Sequence, residues 1–318
     1  MKKNKVWIIG ASQMAIDYYN VLDNLQQEVI VVGRGIESAE LFEKQTDTKP
    51  FVGGLKEYLT TNPSQPSHVI VAVGVEQLFF ITEQLINYNI KNILVEKPAG
   101  INLTEIKTLA EKADSTGTKI FVAYNRRHYT SVQLAKKLID EDGGATSFHF
   151  EFTEWSHVIA KLDKMEEVKQ AWFLANSTHV IDMAFHLGGW PKEMHCFVSG
   201  SCDWHSPTIY SGAGVCTNGA LFSYSSNWQA PGRWSVEILT KSHRYIFKPL
   251  EKLQVQKIGS VATEFIELPN DLDDKFKPGL FEQTRKFITS DTDEFCTIAD
   301  QLHNFELLYM PINEGGHL

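Results

Sequence analysis

The chain has 318 residues, with 43% apolar and 22% charged residues, which excludes disorder, collagen and coiled coil as descriptions of the whole. At roughly 150 residues per domain it holds about two domains. Its net charge of −9 and the absence of a basic patch argue against nucleic-acid binding, and its four cysteines make no disulfide framework, which suits a reducing cytoplasm.

The N-terminal apolar run covers only Val6 to Ile9 before Gly10, Ser12, Gln13 and Asp17 interrupt it, so it does not read as a signal peptide. No stretch approaches the roughly 18 apolar residues of a membrane span. A cytoplasmic protein with no membrane partner is expected.

Up to residue 124, short β-branched runs alternate with helical patterns. The runs are 6–9, 29–32, 68–73, 92–96 and 119–124. Such runs read as strands buried on both faces of a parallel sheet. Between them Met14, Tyr18, Val21, Leu22 and Leu25 recur at helical spacing, as do Ile106, Leu109, Ala110 and Ala113, with Gly117 as a C-cap. This rhythm predicts a doubly wound α/β domain over 1–124. A helix follows at about 130–141 and closes on Asp142-Gly143-Gly144. The pattern then becomes alternating and aromatic, in SFHFEFTEW from Ser147 and in 196–200, 220–228, 235–240 and 245–248. These runs predict a large, open, mostly antiparallel sheet in an α+β domain over 125–318. Helices are expected at about 175–188, 278–289 and 293–309, the last packing back on the first domain. A site at the junction of the two domains is the default expectation.

The first strand runs into Gly10-Ala11-Ser12-Gln13-Met14-Ala15 and then a helix. The dinucleotide fingerprint is G-x-G-x-x-G/A in that context. Gly10 supplies the tight turn and Ala15 the close helix–strand approach. Ser12 replaces the glycine beside the pyrophosphate, costing room but adding a hydroxyl. The helix N-terminus, with Gln13 and Met14, offers N–H groups to an anion. A strand-to-helix turn without ligand fits the motif equally well. After the second strand stands Gly33-Arg34-Gly35-Ile36-Glu37-Ser38. A small residue followed by arginine leaves room for a 2′-phosphate and supplies its charge partner, with Ser38 as a further hydrogen-bond donor. NADP is therefore favoured over NAD, although Glu37 could be the ribose-binding acid in a shifted register. Val73, at the end of the third run, is a further expected cofactor contact.

The strand NILVEKPAG ends in Glu96-Lys97-Pro98, at the carboxyl end where open α/β sheets bind ligands. A lysine there can hydrogen-bond a substrate hydroxyl and the cofactor ribose together, and a proline can hold a cis bond and fix the turn. Together with the GASQMA loop, the AYNRRHY stretch at 123–129 and HVID at 179–182, this resembles the family named for glucose–fructose oxidoreductase, inositol dehydrogenase and MocA (Gfo/Idh/MocA). The resemblance spans most of the chain. It implies a Rossmann domain, a second domain with an open sheet, a nicotinamide cofactor and a sugar, cyclitol or nucleotide-sugar substrate. It also implies a homodimer or homotetramer packed through that sheet. Carried over by residue, Lys97 contacts substrate and assists proton transfer, and Glu96, Pro98 and Asn125 lie at the cofactor. Tyr124, Asn125, Arg126 and Arg127 line the cofactor and substrate cleft, with Tyr124, Arg126 and Asn176 at the substrate, and His179 is the acid/base. Asp182 matches the aspartate three residues on. The family often carries an aspartate four residues before the histidine. This chain has Ala175 there, with Asn176 beside it.

Other polar clusters weigh less. His179, Asp182 and His186 could share one helical face, but the spacing is no named zinc motif and no metal is expected. Along His195, Cys196, Cys202, Asp203 and His205 alternate strand residues face opposite ways, so free structural cysteines are expected. The stretch Trp228 to Trp234 sets two tryptophans and Arg233 around Pro231-Gly232. It reads either as an anchored turn or as a nucleotide-sugar contact. Trp155 and Trp172 flank a charged segment at 160–170, either a cover or a surface loop.

The expected activity is hydride transfer between nicotinamide and a hydroxyl or carbonyl carbon of a sugar, cyclitol or nucleotide-sugar, in surface polysaccharide synthesis by family analogy. Two alternatives stay open. One is an enzyme with tightly held cofactor that uses transient oxidation for epimerisation, elimination or glycoside cleavage. The other is a non-catalytic NADP-binding sensor.

Overall fold

The β-branched runs of the first 125 residues form one parallel sheet in the computed structural model, which describes residues 3–318. Its strands are β1 (Lys5–Ile9), β2 (Glu28–Gly33), β3 (Phe51–Val52), β4 (His68–Val71), β5 (Asn92–Glu96) and β6 (Lys119–Ala123), in spatial order β6-β5-β4-β1-β2-β3. This order is that of a dinucleotide-binding sheet, and it reverses between β1 and β4. Val6, Trp7, Ile8 and Ile9 are 2% exposed or less, as a strand covered on both faces requires. A short antiparallel strand, Cys296–Thr297, extends the sheet beside β6.

The chain divides into two compact units, one of residues up to Asn125 with Asp271–Leu302, the other of Arg126–Asn270 with His303–Leu318. The boundary expected after 124 therefore meets a chain that returns. Helix Leu280–Thr289 presents Leu280, Phe281, Phe287 and Ile288 to the core built by Val6, Ile8, Tyr18 and Leu22. The final helical run expected at 293–309 begins later, because Cys296 and Thr297 are extended against β6. The last helix, Met310–Glu314, packs on β8 of the second unit (Pro191–Ser199). Its buried Ile312 and the pairing of Cys196 N–H with the Gly316 carbonyl at 2.7 Å hold it there.

His68 opens β4 at 6% exposure, with its ring edge-on to Phe287 at 4.9 Å. Burial lowers its pKa from 6.5 to about 4. Below pH 6.5 the unfolded chain takes up a proton that the folded chain refuses, so this contribution to stability falls as pH drops toward 4. Urea titrations at pH 7 and pH 4.5 should show a smaller acid loss for His68→Leu than for wild type. An identical loss would remove His68 as a source of acid sensitivity.

The second unit carries an eight-stranded sheet. After β7 (Ser147–Glu151) and β8 come β9 (Ile209–Cys216), β10 (Leu221–Asn227), β11 (Ser235–Leu239), β12 (His243–Phe247), β13 (Gln254–Lys257) and β14 (Thr263–Phe265). The order is β14-β13-β12-β11-β7-β10-β9-β8, antiparallel except for the β7–β10 pair. One face is a layer of aromatics, Phe148, Phe150, Phe222 and Tyr224, stacked at 5.3–6.4 Å. Helix Thr178–Gly188 lies against it, with Phe185 edge-on to Phe148 at 5.4 Å. The helix predicted over 175–188 is thus α-helical from Thr178, and a π-helical turn, Phe173–Ser177, precedes it. The other face exposes Ser211, Ala213, Ser223 and Ser225, with Phe197 at 70% and Leu221 at 61%.

Candidate active site

At the end of β1, Gly10 takes φ +124°, a conformation that side-chain-bearing residues rarely adopt. A Cβ there would lie 2.2 Å from the Ala72 carbonyl oxygen. The Gly10 N–H donates to the Val32 carbonyl at 2.8 Å. The loop is thus pressed between β2 and β4, where the strand order reverses. Helix Gln13–Asn24 begins at Ser12, whose side chain does not cap it and instead donates to the Ala72 carbonyl at 3.4 Å. First-turn N–H groups left without a side-chain cap suit an anion. The adjoining cleft, about 430 Å³, is lined by Gly10, Ser12, Arg34, Ser38, Lys56 and Val73 among others. A glycine turn that a Cβ would fill, an uncapped helix start and a cationic rim fit a dinucleotide. Gly10→Ala is expected to abolish NADPH binding in an intrinsic-fluorescence titration and to lower stability. Unchanged binding would show that the loop tolerates a Cβ and does not cradle the pyrophosphate.

Lys56 was not legible as a site residue. It follows the Gly53-Gly54 turn on a short helix, Gly54–Thr60, and lines the same cleft as Arg34. Of the other expected cofactor contacts in this unit, Gln13, Met14 and Gly33 lie outside that lining and Ser38 is part of it. Gln13 Nε2 donates to Asp17 on its own helix at 2.9 Å, and Met14 Sδ lies 2.8 Å from Lys277 Nζ. Gly33 is buried at the end of β2, with Ala11 Cβ about where its own Cβ would crowd, at 3.0 Å. Ser38 Oγ donates to the Gly35 carbonyl at 3.1 Å.

The end of β5 is braced from both sides. Tyr18 donates its hydroxyl to Glu96 Oε1 at 2.8 Å, and Gln283 Nε2 donates to the Tyr18 oxygen at 3.1 Å. Burial raises the Glu96 pKa and pushes Tyr18 well up, so the pair is held by a hydrogen bond in a dry setting. The Lys97–Pro98 peptide is cis. The Pro98 carbonyl accepts from Gln301 Nε2 at 3.0 Å, and Tyr124 donates to Gln301 Oε1 at 3.2 Å. Tyr124 is only 1% exposed, which makes it a brace for the Lys97 turn. Asn125 Nδ2 donates to the Pro278 carbonyl at 3.0 Å.

In the second unit Arg127 forms a bidentate ion pair with Asp182, at 2.9 Å and 2.6 Å. The YNRR stretch thereby anchors the HVID helix, and Asp182 is engaged by arginine. His179, 7% exposed, sits beside Trp234 with ring centroids 6.3 Å apart. Arg126 stacks on the same indole at 4.8 Å and Arg233 at 4.4 Å. Asn176 Nδ2 and Ser177 Oγ both donate to Glu154 Oε1 at 2.9 Å, and Arg233 Nη1 reaches Oε2 at 3.5 Å. Glu154 is 1% exposed, and burial raises its pKa. It escaped the reading, yet a signal existed. Alternation through Phe148, Phe150 and Phe152 puts residue 154 on the buried register, where a lone carboxylate calls for partners.

The cysteine cluster does not converge. Cys196 is buried while its neighbour His195 is exposed, and burial pushes Cys216 up to about 12 and Cys196 upward. His205 packs on Trp228 at 4.5 Å.

Residues 4–124 match a family profile described as "Oxidoreductase family, NAD-binding Rossmann fold". The matched profile is that of the Gfo/Idh/MocA oxidoreductase family, and the match is confined to this segment. Among curated proteins the search finds no sequence match. Solved structures share the fold across nearly the whole chain. An oxidoreductase from Agrobacterium radiobacter, solved with NAD+, L-tartaric acid and magnesium, aligns at TM-score 0.80 and 14% identity over 100% of this chain and 98% of that one. Levoglucosan dehydrogenase, solved with NADH and levoglucosan, aligns at TM-score 0.77 and 17% identity over 98% and 96%. A UDP-N-acetylglucosamine 3-dehydrogenase from Acidithiobacillus ferrooxidans aligns at 0.74 and 14% over 96% and 95%. At such identities the likeness is one of fold. Gly10, Ser12 and Ala15 lie within the matched segment, and among the described residues no helix is long and apolar enough to cross a membrane.

Proposed function

We propose that the protein is an NADP-preferring oxidoreductase acting on a hydroxyl or carbonyl carbon of a sugar, cyclitol or nucleotide-sugar. The observation that carries this reading is the Gly10 turn, held where only a glycine fits, within the segment that matches the family. When bound, a nicotinamide supplies the hydride acceptor or donor. The helix that starts at Gln13, with Ser12, holds the pyrophosphate. Arg34 and Lys56 face the 2′-phosphate, and Ser38 adds a hydroxyl. Gly33 keeps the end of β2 free of a side chain, and Val73, Pro98 and Asn125 bound the remainder of the cofactor. Lys97 donates to the substrate oxygen, its backbone fixed by the Glu96–Tyr18 and Pro98–Gln301 contacts. His179 takes or returns the hydroxyl proton, the general acid–base role open to an imidazole. Arg126 and Asn176 lie toward the substrate, with Asn176 held by Glu154. The outer face of the second sheet, with Phe197 and Leu221, packs a homodimer or homotetramer.

The test is an intrinsic-fluorescence titration with NADPH and NADH side by side. NADPH should bind more tightly, and Arg34→Ala should erase the preference by about tenfold or more, the value of one charge-assisted contact. Preference for NADH would sink the 2′-phosphate assignment, and no binding of either would sink the oxidoreductase reading.

A second reading, a closed redox cycle on retained cofactor, draws on residue 175. The chain has Ala175 at the aspartate position, and the Asn176 amide is committed to Glu154. Release of reduced cofactor during turnover favours net oxidation, and its absence favours the closed cycle.

A further inference from the structure

Two successive arginines in the second unit stand in opposite situations. Arg127 has its carboxylate in the bidentate pair with Asp182. Arg126 forms no ion pair with any carboxylate among the described residues. Its position is nonetheless fixed. It belongs to the helical turn Asn125–His128, and the Tyr129 N–H donates to the Arg126 carbonyl at 3.2 Å. The guanidinium carbon lies 5.9 Å from the centre of the Tyr129 ring and 4.8 Å from that of Trp234, both rings buried. Its Nε is buried and has no hydrogen-bond partner among the described residues, while the residue as a whole is half-buried. Burial pulls its pKa down, and Glu251 and Glu154 act on it through space. An arginine stays protonated in spite of this, so the turn carries a fixed positive charge largely out of water.

Stacking on two rings returns only part of what a guanidinium loses on leaving water, and a donor without an acceptor adds to the loss. The neighbouring charges do not make it good. Arg233 stacks on the same indole at 4.4 Å and adds a second positive charge. Its acid is Glu154, at 3.5 Å, and that carboxylate also accepts from Asn176 and Ser177. Two guanidinium groups thus share one indole and one committed carboxylate. His179 lies against that indole too, with ring centroids 6.3 Å apart. A neutral ligand beside His179 would leave the charge on Arg126 unanswered, whereas a pair of anionic oxygens would meet its fork. We infer that the molecule acted on carries a carboxylate or a phosphate, and that this anion pairs with Arg126. Such a contact selects acidic sugar derivatives, such as a uronate, an aldonate or a sugar phosphate, over neutral ones. That the ligand is a substrate rests on the oxidoreductase reading above; that it is an anion rests on the charges of the second unit alone.

The experiment is a ligand-observed NMR titration of the full chain without cofactor. The probes are D-glucuronate, D-gluconate, D-glucose 6-phosphate and D-glucose 1-phosphate, with D-glucose and D-glucitol as neutral counterparts. At least one acidic probe should bind about tenfold or more tightly than the neutral ones, the value of one charge-assisted contact. Arg126→Met should erase that advantage, and Arg126→Lys should restore part of it. A lead for glucuronate or gluconate identifies a carboxylate, and a lead for the glucose phosphates identifies a phosphate. Arg34→Ala should leave the advantage intact, which separates this site from the cleft at Gly10. Arg126→Met should unfold in urea no more easily than wild type, since it removes a charge without a partner, and Arg126→Gln repeats the comparison with a shorter polar side chain. Acidic probes that bind no more tightly than the neutral ones, or an advantage that survives in Arg126→Met and Arg126→Gln, would overturn the inference. An Arg126-dependent acid preference in a chain that binds neither NADPH nor NADH would uphold the anion site and sink the oxidoreductase reading instead.

Discussion

Arg127→Ala is expected to cost about 3–5 kcal/mol, the range for removing one partner of a buried ion pair. Asp182, 1% exposed at the side chain, would be left as a carboxylate facing a vacated guanidinium. Asp182→Ala should cost a similar amount. Arg127→Met with Asp182→Leu should recover much of the loss, because no uncompensated charge then remains. Urea unfolding followed by a probe in the second unit measures all three. A loss below about 1 kcal/mol would show that the pair is no more than a surface contact. The consequence extends to chemistry, because Asp182 sits one turn after His179 on helix Thr178–Gly188. An unanchored helix would misplace the histidine, so Arg127→Ala should also lower turnover at temperatures where the protein remains folded.

Lys97→Ala is expected to lower kcat by about 10²–10⁴-fold, the range for loss of one positioned proton-transfer group. NADPH affinity should change little, since the phosphate contacts proposed above are Arg34, Lys56 and the Gly10 turn. His179→Ala should fall in the same range. The double variant should be barely worse than either single one, as expected for groups serving one step. Steady-state kinetics beside the fluorescence titration decides it. Equal loss of turnover and cofactor affinity in Lys97→Ala would reassign the lysine to cofactor binding. A full additive penalty in the double variant would separate the two residues into different steps.

Much of this protein was legible before any coordinates. Strands covered on both faces must be apolar throughout, so the parallel sheet showed itself in runs such as VWII and NILVE. A turn that excludes a Cβ must carry glycine, so Gly10 marked the loop. The one-sided sheet showed in the alternation SFHFEF. These features are local: backbone geometry and the number of buried faces write themselves directly into neighbouring residues.

What the tertiary structure decided is which distant residues meet. Periodicity marks Leu280, Phe281 and Phe287 as one helical face but does not name the sheet that covers it. Hence the return of 271–302 to the first unit, and with it the hold of Gln283 on Tyr18 and of Gln301 on Pro98, stayed hidden. Lys56 reaches the cleft lined by Gly10 and Arg34 only because β3 brings the Gly53-Gly54 turn beside β2. Glu154 found Asn176 and Ser177 across the fold, and Arg127 found Asp182. A polar side chain in a sequence carries its charge and its reach but not its partner. The partner is set by packing of apolar faces far along the chain, and that packing alone determines which charges are buried together.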